Sequence, residues 1–167
     1  DGVLRDQGQP IGYLRTTAKY TNYVLELDWR FDPARGAGNS GVLMRRVGPD
    51  KVWPKSIEAQ LQSRSAGDIW NIDAFPMEAD AARTEGRHTE KAQPCNEKPL
   101  GEWNHYKIVC NNGSLRLHVN GKEVSGGDEC NYRKGYLALE SEGAPVEFRN
   151  IRIKELPSTD AGPDVTA

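Results

Sequence analysis

The sequence predicts an all-β protein in which two antiparallel sheets pack as a sandwich or jelly roll. Apolar and polar residues alternate in one segment after another, as they do in strands whose successive side chains point to opposite faces. The chain contains 17 glycines and 10 prolines, which fits many short strands joined by turns. No stretch keeps a helical period, and residues 77–83 come closest to one.

The predicted strands follow one another along the chain with mostly short connections. Asn112-Gly113 predicts a hairpin, because both residues tolerate the positive φ of a tight turn. The longest connection, residues 75–102, exceeds the usual length, and loops of this kind are functional or disordered. Residues 1–156 should form one jelly-roll domain, and the polar residues 157–167 a flexible C-terminal tail. The strands are expected at residues 22–31, 42–47, 57–63, 68–74, 105–111, 115–121, 122–125, 135–141 and 146–156.

Composition argues against several classes of protein. Lys and Arg number 22 and Asp and Glu number 24, so the net charge is -2 rather than the basic excess of a nucleic-acid surface. No apolar run approaches the roughly 20 residues that span a bilayer. The chain opens at Asp1 without a signal-peptide pattern, as a processed or trimmed product does. We therefore expect neither a nucleic-acid partner nor a membrane span.

Three cysteines leave the redox state open. Cys110 falls in the apolar phase of a strand with Tyr106 and Ile108, as a small buried hydrophobe does. Cys95 and Cys130 lie in loop sequence, where a disulfide between them is one alternative that requires an exported protein. No pair of cysteines or histidines has the spacing of a metal site, so no metal ligand is assigned.

The polar phases of several strands are the first functional signal. In IEAQLQ, residues 57–62, the apolar phase is Ile-Ala-Leu and the polar phase is Glu58, Gln60 and Gln62. Amides, with a His and a Tyr on other strands and few lysines, suggest a face for a polyhydroxylated ligand. Planar donor–acceptor groups and aromatic rings hold such a ligand. An ordinary solvated sheet face is the alternative.

Five segments of the chain carry a resemblance to a known family. They are NSGVLMR (39–45), IEAQLQ (57–62), EKPLGEWNHYKI (97–108), VNGKEV (119–124) and ESEGAPVEFRNIRIKEL (140–156). In order and spacing they resemble the 3-keto-disaccharide hydrolase family, over nearly the whole chain from Asp1 to Leu156. The resemblance implies a concanavalin A-like jelly roll, export to the bacterial periplasm or beyond, and action on sugars whose C3 hydroxyl is oxidised to a ketone.

The chain departs from the pattern of this family in two places. The family's opening strand, F-x-G-x-x-L-x-x-W, is absent, so an edge strand is missing or is supplied differently. Glu140 stands where the family has a Gln in a Leu-Gln-Ser-Glu-Gly run. A carboxylate in place of an amide alters the charge balance expected at the site.

The reaction that the resemblance implies is elimination followed by hydration. A 3-keto group acidifies the proton on C2; a base removes it, an acid helps the C1 substituent leave, and water adds afterwards. The site then needs a base, a proton donor and a group that stabilises the enolate at C3. Ordinary glycosidases need two carboxylates beside the anomeric carbon, whereas IEAQLQ has one acid and two amides. This pattern favours elimination over the ordinary retaining mechanism.

Glu58 is the first candidate for the base, and a salt bridge to Arg45 on the preceding strand is its structural alternative. Arg45 could itself orient the ketone or enolate oxygen, or simply neutralise Glu58. Gln60 and Gln62 are candidate binders of sugar hydroxyls, with solvated amides as the alternative.

Glu140 and Glu142 lie two residues apart and should point to the same face. Two close carboxylates raise one of their pKa values and can supply a general acid, whereas pairing with Arg149 or Arg152 is the alternative. His88 is a third candidate acid if the long connection folds over the site, and a surface His otherwise.

Five more residues are candidates for binding substrate. Trp70 and Trp103 could stack on sugar rings, although a Trp in a small sandwich more often packs in the core or at its rim. Asn104 either touches substrate or caps a turn. His118 and Asn120 lie on the polar phase of one strand, where the alternative is an ordinary solvated surface.

Two further functions compete with the enzyme. A non-catalytic carbohydrate-binding module would use the same polar face, and a laminin-G-like adhesion domain would bind a protein instead. No cofactor is assigned, but calcium is an option because concanavalin-like folds often bind it and an ion polarises a ketone. The expectation is an exported protein whose partner is an oligosaccharide or a 3-keto-glycoside.

Overall fold

Two antiparallel sheets, packed face to face, make up the computed structural model, which describes residues 1–158. The predicted all-β sandwich is confirmed, and every strand expected from the alternation is present. Its strands are β1 (Val3–Asp6), β2 (Gly12–Arg15), β3 (Tyr23–Phe31), β4 (Gly41–Val47), β5 (Lys55–Gln60), β6 (Ile69–Ile72), β7 (Thr84–Glu85), β8 (His88–Thr89), β9 (Asn104–Asn111), β10 (Ser114–Val119), β11 (Lys122–Gly127), β12 (Tyr136–Ser141) and β13 (Val146–Glu155).

Each sheet draws strands from distant parts of the chain. The back sheet has the order β1-β13-β3-β9-β10-β11, and the front sheet has the order β2-β12-β4-β5-β6-β8-β7. Neighbours such as β13 and β3, or β12 and β4, are far apart in sequence, as the crossing connections of a jelly roll require. The β9–β10 hairpin turns at Asn112-Gly113, where Asn112 has φ 52°, as predicted.

The core lies between the two sheets and follows from the alternation. Along β3 every second residue is buried, and Leu25, Leu27 and Trp29 face the front sheet's Val42 and Ile57 in one apolar cluster. Complete burial of side chains of this size contributes about 1.5–3 kcal/mol each. The apolar phases predicted from the sequence therefore form the shared interior.

The outer side of the front sheet, called the front face here, is not an ordinary solvated surface. All seven residues of β4 are buried, and so are five of the six residues of β5. Leu43, Ile72 and Ala138 form a second small apolar cluster there, and Tyr13 and Trp70 pack against it. Because both sides of β4 and β5 are covered, this face excludes water where its polar residues lie.

Arg45 interrupts β4 and leaves the front face. Its φ is 53°, and the register between β4 and β5 shifts between Met44 and Val47. The side chain is fully buried, and its guanidinium donates to the carbonyl oxygens of Asn112 (2.7 Å) and Tyr132 (3.3 Å). Both sequence-based expectations for Arg45, an ion pair with Glu58 and a contact with the ketone, are therefore wrong.

The long connection between β6 and β9 is structured and returns to the front sheet. Residues 77–83, which come closest to a helical period in the sequence, contain a 3-10 turn at Ala81–Arg83. The chain then forms the two-residue strands β7 and β8, and β8 pairs with β6. This pairing places His88 beside Trp70.

Other expectations concern cysteines, membranes and the chain ends. Cys95, Cys110 and Cys130 are all free thiols, so the Cys95–Cys130 disulfide is not formed. No helical segment among residues 1–158 has the length and apolar character needed to cross a membrane. The predicted tail, residues 157–167, lies outside the described residues from residue 159 onward.

Candidate active site

Three glutamates meet on the front face. Glu58 comes from β5, Glu140 from β12 and Glu142 from the turn that follows β12. One carboxylate oxygen of each lies within 4.8 Å of an oxygen of the other two. Strand β4 separates β5 from β12 in the sheet, so the cluster forms across an intervening strand.

Gly41 explains how the carboxylates meet across β4. A Cβ atom added at Gly41 would overlap the carboxylate oxygens of both Glu58 and Glu140. Gln60 is the register partner of Gly41 on β5, so its amide borders the same space. A glycine inside a strand often marks such a close approach, here of side chains that arrive from both neighbouring strands.

Burial shifts the proton equilibria of the cluster. Glu58 is 5% exposed, and burial, together with the negative charge of Glu142, raises its pKa to about 8. Glu140 is 1% exposed, and burial, with Glu58 and Glu142 beside it, raises its pKa to about 11. Burial also raises the pKa of Glu142. Glu140 is therefore neutral at neutral pH.

The hydrogen bonds around Glu140 agree with a neutral carboxyl group. Neither of its oxygens accepts a hydrogen bond from any donor among the described residues. A charged carboxylate without donors would be costly inside a protein, whereas a protonated one brings its own hydrogen. Ser40 fixes the backbone here, because its hydroxyl donates to the Glu140 carbonyl at 2.7 Å.

An aromatic and basic group borders the carboxylates on one side. Trp70 is the register partner of Glu58, and His88 is the register partner of Trp70. The two rings stack with centroids 4.6 Å apart, and Asp68 binds His88 Nε2 at 2.8 Å. The Arg87 guanidinium lies 5.8 Å from the centre of the Trp70 ring.

A second basic and aromatic group lies on the opposite side, at β2 and β12. Tyr136 has the Arg15 guanidinium 4.1 Å and the Arg46 guanidinium 5.4 Å from its ring centre. Asp50 accepts hydrogen bonds from Arg46 and from the Tyr13 hydroxyl. This group lies towards β2 and the Trp70–His88 group towards β8, with Glu58 on a strand between them.

A divalent cation is the alternative to protons at the carboxylates. In the described part of the chain, Glu58, Glu140 and Glu142 are the one group of ligating side chains close enough to hold a metal ion. Calcium takes six to eight oxygen ligands at about 2.3–2.6 Å, usually with water among them. Glu58, Glu140 and Glu142 would hold such an ion with water or substrate among its ligands, and shared protons would neutralise the same cluster without one.

Comparison with known proteins identifies the family. The sequence pattern of the 3-keto-alpha-glucoside-1,2-lyase-like domain matches residues 1–154. The chain belongs to this family. A Bacteroides thetaiotaomicron protein named 3-keto-disaccharide hydrolase is 26% identical across 83% of this chain. The match spans 60% of the length of that curated relative.

Solved structures share the fold of this lyase-like domain. A candidate glycosyl hydrolase from Parabacteroides distasonis superposes with a TM-score of 0.69 and 23% identity, covering 93% of this chain and 88% of the other. The carbohydrate-binding module CBM66 from Bacillus subtilis gives a TM-score of 0.63 at 12% identity, covering 92% and 96%. Both comparisons confirm the predicted jelly roll.

Several residues predicted from the sequence come together in this lyase-like domain. Glu58, Glu140 and Glu142 form the cluster, and Gln60, 5% exposed, lies beside it with an unpartnered Oε1. Trp70 and His88 follow on the same face, one and two strands away from Glu58. The front face of the domain therefore contains six of the twelve residues selected from sequence.

The remaining candidates lie elsewhere. Trp103 packs between the Arg30 and Arg149 guanidinium groups, 4.3 and 4.1 Å from its ring centre, on the back sheet. His118 lies on β10 of the same sheet. Gln62 is exposed in the turn after β5 rather than in the strand. The structure does not bring Trp103 or His118 to Glu58, and a substrate contact by Trp103, His118 or Gln62 stays a prediction.

Asn104 and Asn120 hold loops together. Asn104 Oδ1 accepts hydrogen bonds from the Lys98 backbone N–H (2.8 Å) and from Asn120 Nδ2 (2.9 Å). Asn120 Oδ1 accepts from the His105 backbone N–H at 2.8 Å. The turn-capping alternative therefore describes Asn104, and Asn120 has a structural role of the same kind, while its contact with substrate stays a prediction.

Sequence reasoning missed Gly41 and Asp68, and it considered Arg87 only as a residue of the long connection, with a surface position as the alternative. Gly41 stands inside the quoted segment NSGVLMR, and a glycine within a strand was the available signal. Asp68 shares its phase with Trp70, although its hydrogen bond with His88 needs the β6–β8 pairing. Arg87 neighbours His88 in sequence, but only the β7–β8 hairpin brings it over Trp70.

A large cleft elsewhere does not contain the carboxylates. Arg83, Arg116 and Asp128 line it at the edge of the back sheet. Its charges are already paired, since Arg116 binds Asp128 and Arg83 binds Asp80. Among the described residues, the three close carboxylates lie on the front face instead.

Proposed function

We propose that this protein cleaves 3-keto-glycosides by removing the C2 proton, eliminating the C1 substituent and adding water. The observation that carries the proposal is the buried cluster in which a raised-pKa Glu58 lies beside a neutral Glu140. Acid–base chemistry near neutral pH needs such a pair of unlike protonation states. Membership of the lyase-like family supports the choice of a 3-keto sugar as substrate.

Glu58 acts as the base in this proposal. Its ionised carboxylate takes the proton from C2, the C2–H electron pair forms the C2=C3 bond, and the ketone oxygen takes up the negative charge. A pKa raised to about 8 makes Glu58 a stronger base than an ordinary carboxylate. The aromatic ring of Trp70, in register with Glu58, supports the sugar beside it.

Glu142 and Glu140 supply the proton for the leaving group. When the C3 carbonyl re-forms, the electron pair moves to C1=C2 and the C1–O bond breaks. Neutral Glu140 gives its proton to the ionised carboxylate of Glu142, the most exposed of the three, which passes it to the departing oxygen. Water then adds its hydroxyl to C1 and a proton to C2, which completes hydrolysis.

Protons rather than a cation neutralise the cluster in this proposal. Added calcium would compete with the shared proton for Glu58 and Glu140 and lower the rate, and EDTA would leave the rate unchanged. A rate lost in EDTA and restored by calcium would contradict this assignment. Export to the periplasm or beyond the cell stays a prediction.

Turnover of a 3-keto-disaccharide tests the proposal directly. Wild type should release the leaving sugar from the 3-keto form and leave the parent disaccharide intact, since only the ketone acidifies C2. Glu58→Gln should bind the substrate in calorimetry but lose at least about 100-fold in kcat. The matched control is Glu102→Gln, at an exposed site next to Trp103 on the other side of the molecule.

The outcomes separate the competing functions. Binding without turnover of any 3-keto-glycoside would identify a carbohydrate-binding module instead of an enzyme. If the protein bound no sugar, the adhesion domain would remain as the competing function. Retained turnover in Glu58→Gln would remove Glu58 from the role of base.

A further inference from the structure

Arg87 is a front-face arginine whose guanidinium group is available to a ligand. Among the described residues it has no ion pair and no side-chain hydrogen bond, and its ring neighbour is Trp70. Arg45 is fixed in the interior by carbonyl groups. Arg46 and Arg15 pair with Asp50. Of these arginines, Arg87 is therefore the one whose charge is not already paired with a carboxylate or held by carbonyl groups.

Two features position Arg87: a hydrogen bond of its backbone and the nearby ring of Trp70. Its carbonyl oxygen accepts a hydrogen bond from the Asn71 N–H at 2.8 Å, which ties the β7–β8 hairpin to β6. Its guanidinium lies 5.8 Å from the ring centre of Trp70, the register partner of Glu58. The backbone bond and the ring contact keep the guanidinium on the side of the front face that carries the base.

The charge of Arg87 reaches Glu58 without a direct contact. Its field acts against the burial that raises the pKa of Glu58. No ion pair within 4.0 Å joins the two groups in the described structure. Proton removal next to a ketone requires a space between the base and the cation, because the C2 atom and the C3 oxygen of the substrate must fit between them.

We propose that the Arg87 guanidinium binds the C3 oxygen of the substrate and stabilises the enolate formed when Glu58 takes the C2 proton. This inference rests on the proposed function. As the C2–H pair becomes the C2=C3 bond, the C3 oxygen gains a full negative charge, and a cationic donor binds it more strongly than the ketone. The planar guanidinium near Trp70 offers paired N–H donors that match a developing oxyanion.

Exchange of the C2 proton isolates this step from glycosidic cleavage. A 3-keto sugar without a C1 leaving group cannot undergo elimination, and in D2O the enzyme should exchange its C2 proton, as NMR would show. Arg87→Gln should lower this exchange rate by about 100-fold or more, with Arg87→Lys between the two. The control is Arg35→Gln, at an exposed arginine in the 3-10 turn Pro33–Arg35, which should behave as wild type.

A structural role for Arg87 would give a different pattern. Enolate binding predicts a loss in the exchange rate with an unchanged unfolding midpoint and unchanged binding of the parent sugar without the ketone. It also predicts that added guanidinium ion, at a non-denaturing concentration, restores part of the exchange in Arg87→Ala. A structural role predicts a lower midpoint and no rescue.

The results distinguish this inference from the proposed function. Exchange in Arg87→Gln within about threefold of wild type would overturn the role of Arg87. Wild type that exchanges C2 but never cleaves a 3-keto-disaccharide would overturn the proposed function and support enolate binding. Wild type that does neither would overturn both.

Discussion

The carboxylates of Glu58 and Glu140 meet over strand β4, although β4 separates the strands that carry them. Their contact depends on the hydrogen that stands in place of a side chain at Gly41. The site therefore needs a residue without a side chain on β4 and two long side chains on the neighbouring strands. This arrangement leads to four predictions besides the tests given above.

Gly41→Ala should separate the carboxylates. The added methyl group would meet the ends of flexible side chains, so the free energy of unfolding should fall by only about 1 kcal/mol. Turnover should fall by about 100-fold, because a displacement of about 1 Å is enough to misplace catalytic groups. Urea unfolding and steady-state kinetics measure the two effects.

Gly12→Ala is the control for that substitution. Gly12 is also on a strand of the front sheet, but a Cβ there meets no atom within 4 Å. Its stability and turnover should stay close to wild type. Equal turnover in the two variants would contradict a site that depends on the space at Gly41.

Glu140→Gln should become increasingly more stable than wild type as the pH rises. The unfolded carboxyl loses its proton near its ordinary pKa of 4.5, whereas burial keeps the folded group protonated to about 11. Wild type therefore loses stability with rising pH over this interval, and the neutral amide does not. Between pH 5 and 8 the difference should grow by more than about 1 kcal/mol in urea unfolding.

A pH-independent difference between Glu140→Gln and wild type would show that Glu140 is not neutral when folded. Glu102→Gln is the matched control, because that carboxyl group is exposed. The difference between this control and wild type should not change between pH 5 and 8.

The rate of the proposed reaction should rise with pH through about 8. Glu58 must be ionised to accept a proton, and burial, with Glu142, raises its pKa to that value. kcat/KM for a 3-keto-disaccharide should increase about tenfold per pH unit below this pKa and level off above it. A rate that is flat between pH 6 and about 9 would contradict Glu58 as the base.

Replacing Trp70 should affect sugar binding, whereas replacing Trp103 should affect the free energy of unfolding. Trp70→Ala should weaken sugar binding about tenfold in calorimetry, because an aromatic ring beside Glu58 is lost. Trp103→Ala should leave binding unchanged and lower the free energy of unfolding by about 1–2 kcal/mol, since two arginines stack on that ring. Weaker sugar binding in Trp103→Ala alone would place the sugar site on the back sheet instead.

Most strands that the sequence predicts are long enough to show alternation, although β6 (Ile69–Ile72) is a predicted strand of four residues. The nine residues of β3 alternate between buried and half-buried positions, and β9 and β10 follow the same rule. The strands β1, β2, β7 and β8 are two to four residues long and were not predicted. Such short strands form because a distant partner supplies their hydrogen bonds, and no local pattern records that partner.

Within the site, the predictable part is local. Glu58 and Gln60 share a face because they are two residues apart on one strand, and Glu140 and Glu142 could be paired for a similar reason. Some candidates do not lie beside Glu58, either because of a local irregularity or because a whole strand pairs elsewhere. A bulge turns Arg45 inward, and β5 ends before Gln62. Strand β10 belongs to the opposite sheet, which places His118 away from Glu58.

By itself the sequence determined the all-β class, the core-facing phase of each long strand and the presence of acids and amides on polar phases. These properties depend on side chains two residues apart, which a strand places on one face whatever its neighbours are. Tertiary structure alone decided which sheet each strand joins, and so which polar phases meet. Glu58, Glu140 and Arg87 come from separate strands and a hairpin, and only strand pairing over the whole chain brings them to one face.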